Sequence, residues 1–468
     1  MSPVMSMPPP EVIIVGAGPA GCALACRLAR ADVSTLLLDK ASFPRDKVCG
    51  DCLSPRAQHH LARLGLLDDI AAEAHAVSRI GFQAPSGARA SADIARALRA
   101  DAADPRSMPG RALVLPRRRF DERLWRHALA AGAQFRVGHV RQLLRSGEPG
   151  TADSRLVGAG AGVFAGVVND SVDSSTNGTV CGVLLNGEPV PARLVVVATG
   201  AATGLLRRSP LYPARSVPNP VHRPMNREAH GPLHSVAARC YLSGVAMPDA
   251  GLRFFFDHLP LPGYAWVFPT GPRSANIGFW YNGKQRQSAA ALLTQLLARH
   301  PVLSALARDA ETVGPVAGFP IRTDFLTAPK VAPGLLAIGE AAGLVNPFTG
   351  EGIDYALESA ELAAETVLEA FGRLDRQRDW PHQGPLTAGA LASYPRALNR
   401  RFRSLFLVMA TAHRYGFNPW VFNRLFGGGE RGQPLVDTLV RVCFGAAPPL
   451  SLLHPIPIAR LLWSRAER

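Results

Sequence analysis

The stretch VIIVGAGPAGCALACRLARADVSTLLLDK, Val12 to Lys40, decides the fold. Val12 to Val15 is a short, apolar, β-branched run with a glycine directly behind it, the pattern of a buried parallel strand. Gly16 permits a tight turn. Gly18 lets backbone approach a pyrophosphate, and Gly21 lets the next helix pack close to the strand. That helix, predicted from about Ala20 to Arg30, is alanine-rich and points its positive end at the phosphates. A second strand, Thr35 to Leu38, ends in Asp39. This acid lies 18 residues past Gly21, close to the ~20 expected of the group that holds a ribose hydroxyl. A glycine turn in some other α/β protein is the plainer alternative. The order of strand, glycines, helix, strand and acid argues against it.

Two further segments read as parts of the same site. Lys47-Val48-Cys49-Gly50 follows the first unit. Far downstream, Gly339-Glu340-Ala341-Ala342-Gly343 runs into Asn346-Pro347-Phe348-Thr349-Gly350-Glu351-Gly352. A buried strand over Leu335–Ile338 delivers Gly339 and Glu340 to a turn, where a carboxylate accepts from ribityl hydroxyls. Pro347 to Gly352 then presents backbone N–H groups at the start of a helix over Gly352–Phe371. Such donors suit the anionic end of a reduced isoalloxazine. An ordinary strand–loop–helix crossover is the alternative for this segment alone. Order and spacing together point to a flavoprotein with redox chemistry.

Composition fits an enzyme. The 468 residues allow about three domains or one large interleaved one. Hydrophobic content of 47% and mean hydropathy of +0.07 exclude a disordered chain. The net charge of +15 is carried by arginine, since lysine occurs only at Lys40, Lys47, Lys284 and Lys330. A compositional bias on a solvated surface explains it, as does attraction to anionic lipid or a phosphorylated substrate. Nucleic acid is not an expected partner, because no basic patch is interleaved with stacking aromatics. The seven scattered cysteines suggest a reducing cytoplasm. Met1 to Pro10 has neither the basic nor the apolar region of a signal peptide. No apolar run reaches the ~18 residues of a spanning helix. Cys49 and Cys52 form a C-x-x-C without two further ligands at zinc spacing, and no metal is expected. Adjacent His59 and His60 point to different helix faces. Cys49 is therefore read as a cofactor-side residue and Cys52 as incidental.

Along the chain, Ser54 to Ile70 reads as a helix with a second short one behind it, and Ser78 to Ala92 as strand and turn. Arg117-Arg118-Arg119-Phe120-Asp121 opens a helix through Ala131. Ala133 to Val140 reads as one strand. Gly158 to Gly162 mimics a nucleotide loop but reads as turns or a β-ribbon. Asn177-Gly178 and Asn186-Gly187 signal hairpins. Leu194 to Ala198 is a buried strand ending at Thr199-Gly200. Arg207 to Gly231 is loop-like, and Val236 to Tyr281 reads as antiparallel strands. Beyond Phe371 the chain is helical with Pro and Gly breaks. Pro448 to Trp463 is apolar, and either packs on the body or rests on a membrane surface.

With these segments in hand, the chain resembles the geranylgeranyl reductase family of flavoproteins. The resemblance rests on Gly16 to Gly21, FPRDKVCGDCLSPRA (Phe43 to Ala57), YAWVFP (Tyr264 to Pro269) followed by Asn276-Ile277-Gly278, and GEAAGLVNPFTGEGIDYALESAELAAE (Gly339 to Glu365). It implies an α/β fold of the FAD-dependent aromatic-hydroxylase type. A discontinuous, Rossmann-like FAD domain would span 10–75, 106–215 and 320–372. An interleaved antiparallel β-sheet substrate domain would span 76–105 and 216–319, with a helical region over 373–468. It implies bound FAD. Gly16, Gly18, Ala20, Gly21, Asp39 and Lys40 would hold the adenine half, and Arg117 would reach the diphosphate or ribose. Val140 belongs to the same set. Lys47, Cys49 and Gly50 would lie near the flavin ring. Gly339 and Glu340 would hold ribityl, with Gly350, Gly352 and Ile353 facing the isoalloxazine. Arg239, Tyr241, Tyr264, Trp266, Phe268 and Pro269 would contact an apolar substrate. For any single aromatic, plain core packing is the alternative.

Three positions depart from the family pattern. Thr199 precedes Gly200 where the family has Asp, Glu340 stands for the Asp of the usual GD turn, and Trp280 replaces a glycine. The first weakens direct use of a nicotinamide, and the last implies a reshaped pocket. Two reactions compete. Reduced FAD gives hydride to an alkene of an apolar isoprenoid or polyene, with Cys49 as proton donor or gate. Alternatively it captures oxygen, as a monooxygenase does. A halogenase reading lacks a lysine between Lys47 and Lys284, and a non-catalytic flavin scaffold predicts FAD without turnover. NAD(P)H or a ferredoxin or separate reductase would supply electrons. The expected setting is cytoplasmic, with peripheral membrane contact.

Overall fold

The structure is a computed structural model describing residues 9–99, 108–146, 178–212, 235–245, 247, 251–282, 287–373 and 384–453. The strand Val12–Val15 is buried throughout because parallel strands flank it, Leu194–Val197 on one side and Thr35–Asp39 on the other. The sheet continues in parallel to Leu335–Ala337 and to Gln134–Val137. An antiparallel edge strand, Val331–Ala332, ends it. The helix Pro19–Ala29 begins with proline at its first turn, where no N–H is needed. Its neighbours are the helices Arg117–Ala130 and Ile353–Arg373. Gly21 lets the helix sit close on the strand ends, since a Cβ there would lie 1.9 Å from the Gly16 carbonyl oxygen.

A seven-stranded sheet stands beside this layer. Its order is Glu311–Ile321, Ser235–Ser243, Ser274–Asn282, Gly263–Gly271, Leu252–Phe255, Arg79–Gln83 and Arg89–Asp93. Alternation divides its residues between two cores. Tyr264, Trp266, Phe268 and Trp280 pack with Phe422 and Phe426 of the later helices. Ala265, Val267, Ile277 and Phe279 face Leu293 and Leu303 of the helices Ala289–Arg299 and Pro301–Ala307. The expected fold class is the one observed: an FAD-type α/β layer, an interleaved β-sheet, and the helices Ser393–Gly416, Pro419–Gly427 and Gly429–Cys443. Among the described residues no single helix is long and apolar enough to cross a membrane.

Several local expectations change. Ala133 to Val140 is two strands, Gln134–Val137 and Val140–Arg145, in different sheets. Gly138 turns between them in a space so tight that a Cβ would meet the Leu185 side chain at 2.4 Å. The strands from 235 to 282 pair antiparallel with one another as expected, and Leu252–Phe255 pairs in addition, in parallel, with Arg79–Gln83. Asn186-Gly187 does form a two-residue hairpin, with φ of 54° and 94°. The Gly158–Gly162 reading, Asn177, most of the Arg207–Gly231 loop and 454–463 of the apolar tail lie outside the described residues.

Candidate active site

At the carboxyl end of the first strand, Gly16 takes φ +112°, which favours glycine, and a Cβ would lie 2.4 Å from the Ala198 carbonyl oxygen. Asp39 accepts from the Ala17 N–H at 2.9 Å and pairs with Arg45 at 3.3 Å. Arg45 also pairs with Asp121 at 3.0 Å and donates to the Ala17 carbonyl at 3.0 Å. Its Nε is buried without a partner among the described residues. At Gly18 the nearest neighbour a Cβ would meet is that guanidinium, at 3.8 Å. A helix N-terminus and an incompletely bonded guanidinium thus flank one open space, which fits the diphosphate of FAD. Arg45 was not singled out in the sequence, although its place between the second strand and Lys47 was visible. Ala20, Lys40 and Val140 line the same end. Arg117 lines it too, but its guanidinium is forked onto Asp121 at 2.6 and 2.8 Å rather than left free for a ligand.

The three motif segments meet further along. Lys47 Nζ lies 3.0 Å from Glu340 Oε2, and Glu340 Oε1 accepts from the Arg322 N–H at 3.2 Å. Cys49 accepts at its Sγ from the Asp51 N–H at 3.3 Å. Burial pushes the Cys49 thiol above its usual range. Asn276 holds this loop to the β-sheet. Its Nδ2 donates to the Cys49 carbonyl and to Asp51, both at 2.7 Å, while its Oδ1 accepts from Trp266 Nε1 at 3.0 Å. Asp51 also accepts from Tyr241 at 2.6 Å and from the Arg117 N–H at 3.1 Å. Burial pushes its carboxyl up to about 6 despite these bonds.

Five expected residues do not line the cavity. Gly21 and Gly339 are packing glycines behind the wall. Arg239 and Tyr241 share a sheet face with Trp266 and Phe268, opposite Gly278 and Asn276 respectively. The Asp46–Asp51 loop covers that part of the face: Arg239 pairs with Asp46, and Tyr241 bonds Asp51. Pro269 follows Phe268 on the other side of the pleat and is also off the wall. Cys52, expected to be incidental, does line the cavity.

Gly16, Gly18, Asp39, Lys47, Cys49, Gly50, Glu340, Gly350, Gly352 and Ile353 all border a single cavity of about 800 Å³. Its other end is aromatic. Phe254, Tyr264, Trp266, Phe268 and Trp280 come from the sheet and Phe256 from just beyond one of its strands, while Phe422 and Phe426 come from the helix Pro419–Gly427 and Phe417 from the connection before it. Nothing in the sequence placed those last three at the site. The loop through Thr349 and Gly350 touches this wall: Tyr264 donates its hydroxyl to the Thr349 carbonyl, and a Cβ on Gly350 would lie 3.7 Å from Trp280. Gly278 leaves room for the Trp266 indole, which a Cβ would meet at 2.3 Å.

Comparison with known proteins agrees with this geometry. Residues 10–162 match the profile of an FAD binding domain, and residues 152–423 match that of lycopene cyclase protein. The chain is 32% identical over 388 residues to a menaquinone reductase of Mycolicibacterium smegmatis, covering 79% of each protein. It is 28% identical over 376 residues to digeranylgeranylglycerophospholipid reductase 2 of Methanopyrus kandleri, covering 77% of each. In fold it is similar to a geranylgeranyl bacteriochlorophyll reductase-like protein from Thermoplasma acidophilum, with a TM-score of 0.69, 20% identity, and coverage of 98% and 99% of the two chains. The chain is an FAD-dependent oxidoreductase, matches both of those profiles, and belongs to the geranylgeranyl reductase family of flavoproteins.

Proposed function

We propose that this enzyme reduces C=C bonds of an apolar isoprenoid chain. The observation that carries the reading is the continuity of the cavity. A polar half bordered by Gly16, Arg45 and Glu340 runs without interruption into an aromatic half suited to a polyprenyl chain. The relatives' names, which specify menaquinone and a digeranylgeranyl phospholipid as substrates, support the same class. Bound FAD, once reduced, supplies hydride. Gly16, Gly18 and Arg45 would hold its diphosphate, Asp39 a ribose hydroxyl, and Glu340 with Lys47 its ribityl side. The aromatic wall orients the alkene and excludes water, which lowers the local dielectric around the reacting carbons. Alkene reduction also needs a proton, and Cys49 and Glu351, both on the wall and within the cofactor-side motifs, are candidates whose pKa burial pushes upward.

Electrons reach the flavin from NAD(P)H on a transient visit, or from a ferredoxin or separate reductase. Thr199, where the family has Asp, favours the protein donors. All seven cysteines are free, which supports a reducing compartment. Exposed Tyr415 and Trp420 flank Phe417, a cavity-lining residue, and support docking on a membrane surface where such substrates reside.

The test is anaerobic. FAD-loaded enzyme is reduced chemically, and geranylgeraniol is added. Return of the oxidised flavin band with a product two hydrogens heavier is expected. Reoxidation only on admitting oxygen, with a product one oxygen heavier, would establish the monooxygenase instead.

A further inference from the structure

We propose that Glu351 is the acid that protonates the alkene. The residue lies between Gly350 and Gly352, on the loop where the flavin-facing backbone meets the aromatic wall, and it borders the cavity itself. Among the described residues its carboxyl makes no ion pair; its one side-chain partner is the Thr349 hydroxyl, at 3.4 Å. Its neighbours explain why it keeps a proton. Asp354, one turn along, lies 3.6 Å from Arg56, and Arg56 is also bound by Glu358. Arg56 is thus committed to the two inner carboxyls. The remaining groups facing Glu351 are Cys52 on a short strand, Tyr264 on the sheet, Tyr355 on the helix Ile353–Arg373 and Cys443 on the last described long helix, none of them a cation.

Two carboxyls so close in an apolar wall do not both ionise. Burial raises Glu351 first, and the charge on Asp354 raises it further against an opposing pull from Arg56; burial raises Asp354 too, but Arg56, 3.6 Å away, and a bond from the Tyr355 N–H pull it back. Glu351 therefore holds the shared proton, with Asp354 as its positioning partner. Cys49 also retains its proton, but a thiol raised by burial is a weaker acid than a raised carboxyl near neutral pH. Cys49 is left as a gate between the polar and aromatic halves.

This assignment rests on the alkene-reductase reading. The π bond breaks, and one carbon takes the hydride carried in by the reduced flavin. The other takes the proton of the Glu351 carboxyl. Both electrons of the hydride end in the first new C–H bond, the π pair forms the second, and the carboxylate regains its proton from solvent.

Two measurements test it. First, an infrared difference spectrum of oxidised, FAD-loaded wild type against Glu351→Gln at pH 7 is expected to show a protonated-carboxyl C=O band that the variant lacks. Second, anaerobic reoxidation of the reduced enzyme by geranylgeraniol is expected to slow at least about 100-fold in Glu351→Gln. FAD should remain bound with unchanged visible spectrum. Glu351→Asp, which keeps an acid, should retain the band and part of the rate. No acid band at pH 7, or a wild-type rate in Glu351→Gln, overturns the assignment. A wild type that geranylgeraniol does not reoxidise overturns the reductase reading and the donor role with it, while the infrared band still reports the protonation state on its own.

Discussion

Arg45 carries more of the cofactor end than any residue the sequence singled out. It touches Asp39, Asp121 and the Ala17 carbonyl, and still has one buried N–H to give. A hydrogen bond between charged partners contributes about 1.5–3 kcal/mol. Arg45→Gln is therefore expected to weaken FAD binding by roughly 10- to 150-fold on that scale, read by flavin fluorescence titration. An unchanged affinity would place the diphosphate elsewhere. Gly16, Gly18 and Asp39 were legible because their chemistry is local: a turn, a close approach, a strand end. Arg45 and Asn276 were not. Their meaning comes from Asp121 and Asp51, which lie far away in sequence and arrive only through the fold.

Among the elements, the helices were the easiest to read and their partnerships the hardest. The helix expected over Ser54 to Ile70 is capped by Ser54 but ends at Gly65, and Leu67–Glu73 is a separate helix. The sequence did not show that His60 would reach Glu358 and Glu361, at 3.2 and 3.1 Å, on the helix Ile353–Arg373. Burial alone would lower the His60 pKa; the two carboxylates outweigh it and raise it. A histidine with a raised folded pKa contributes fully below its unfolded value of about 6.5, and the contribution is lost as pH rises through the folded one. Urea unfolding at pH 6 and pH 8 should thus show a loss of stability with rising pH that is smaller in His60→Gln. Equal slopes in the two proteins would mean that His60 titrates normally. Strand boundaries were less legible, because Gln134–Val137 and Val140–Arg145 form one continuous β-rich run until Gly138 sends them to separate sheets.

For the molecule as a whole, the sequence pattern gave the layers but not the closure. The helices after Phe371 read as an appendage, yet Phe417, Phe422 and Phe426 complete the aromatic wall. The same region turns Tyr415 and Trp420 outward, 68% and 53% exposed, with Arg414 and Arg424 stacked on them. Together with a net charge of +15 this surface suits anionic lipid. Pelleting with vesicles of anionic phospholipid should fall in the Tyr415→Ala, Trp420→Ala double variant and with added salt, whereas unchanged pelleting would put the contact on another face. The bridge from Lys47 to Glu340 has a consequence for biosynthesis. Its partners are 293 residues apart. A ribosome has therefore made most of the polypeptide before both walls of the flavin pocket exist, so the nascent chain cannot capture its cofactor early. Vitamin supply then acts on a nearly finished protein, at the stage when partly folded intermediates are most exposed to aggregation.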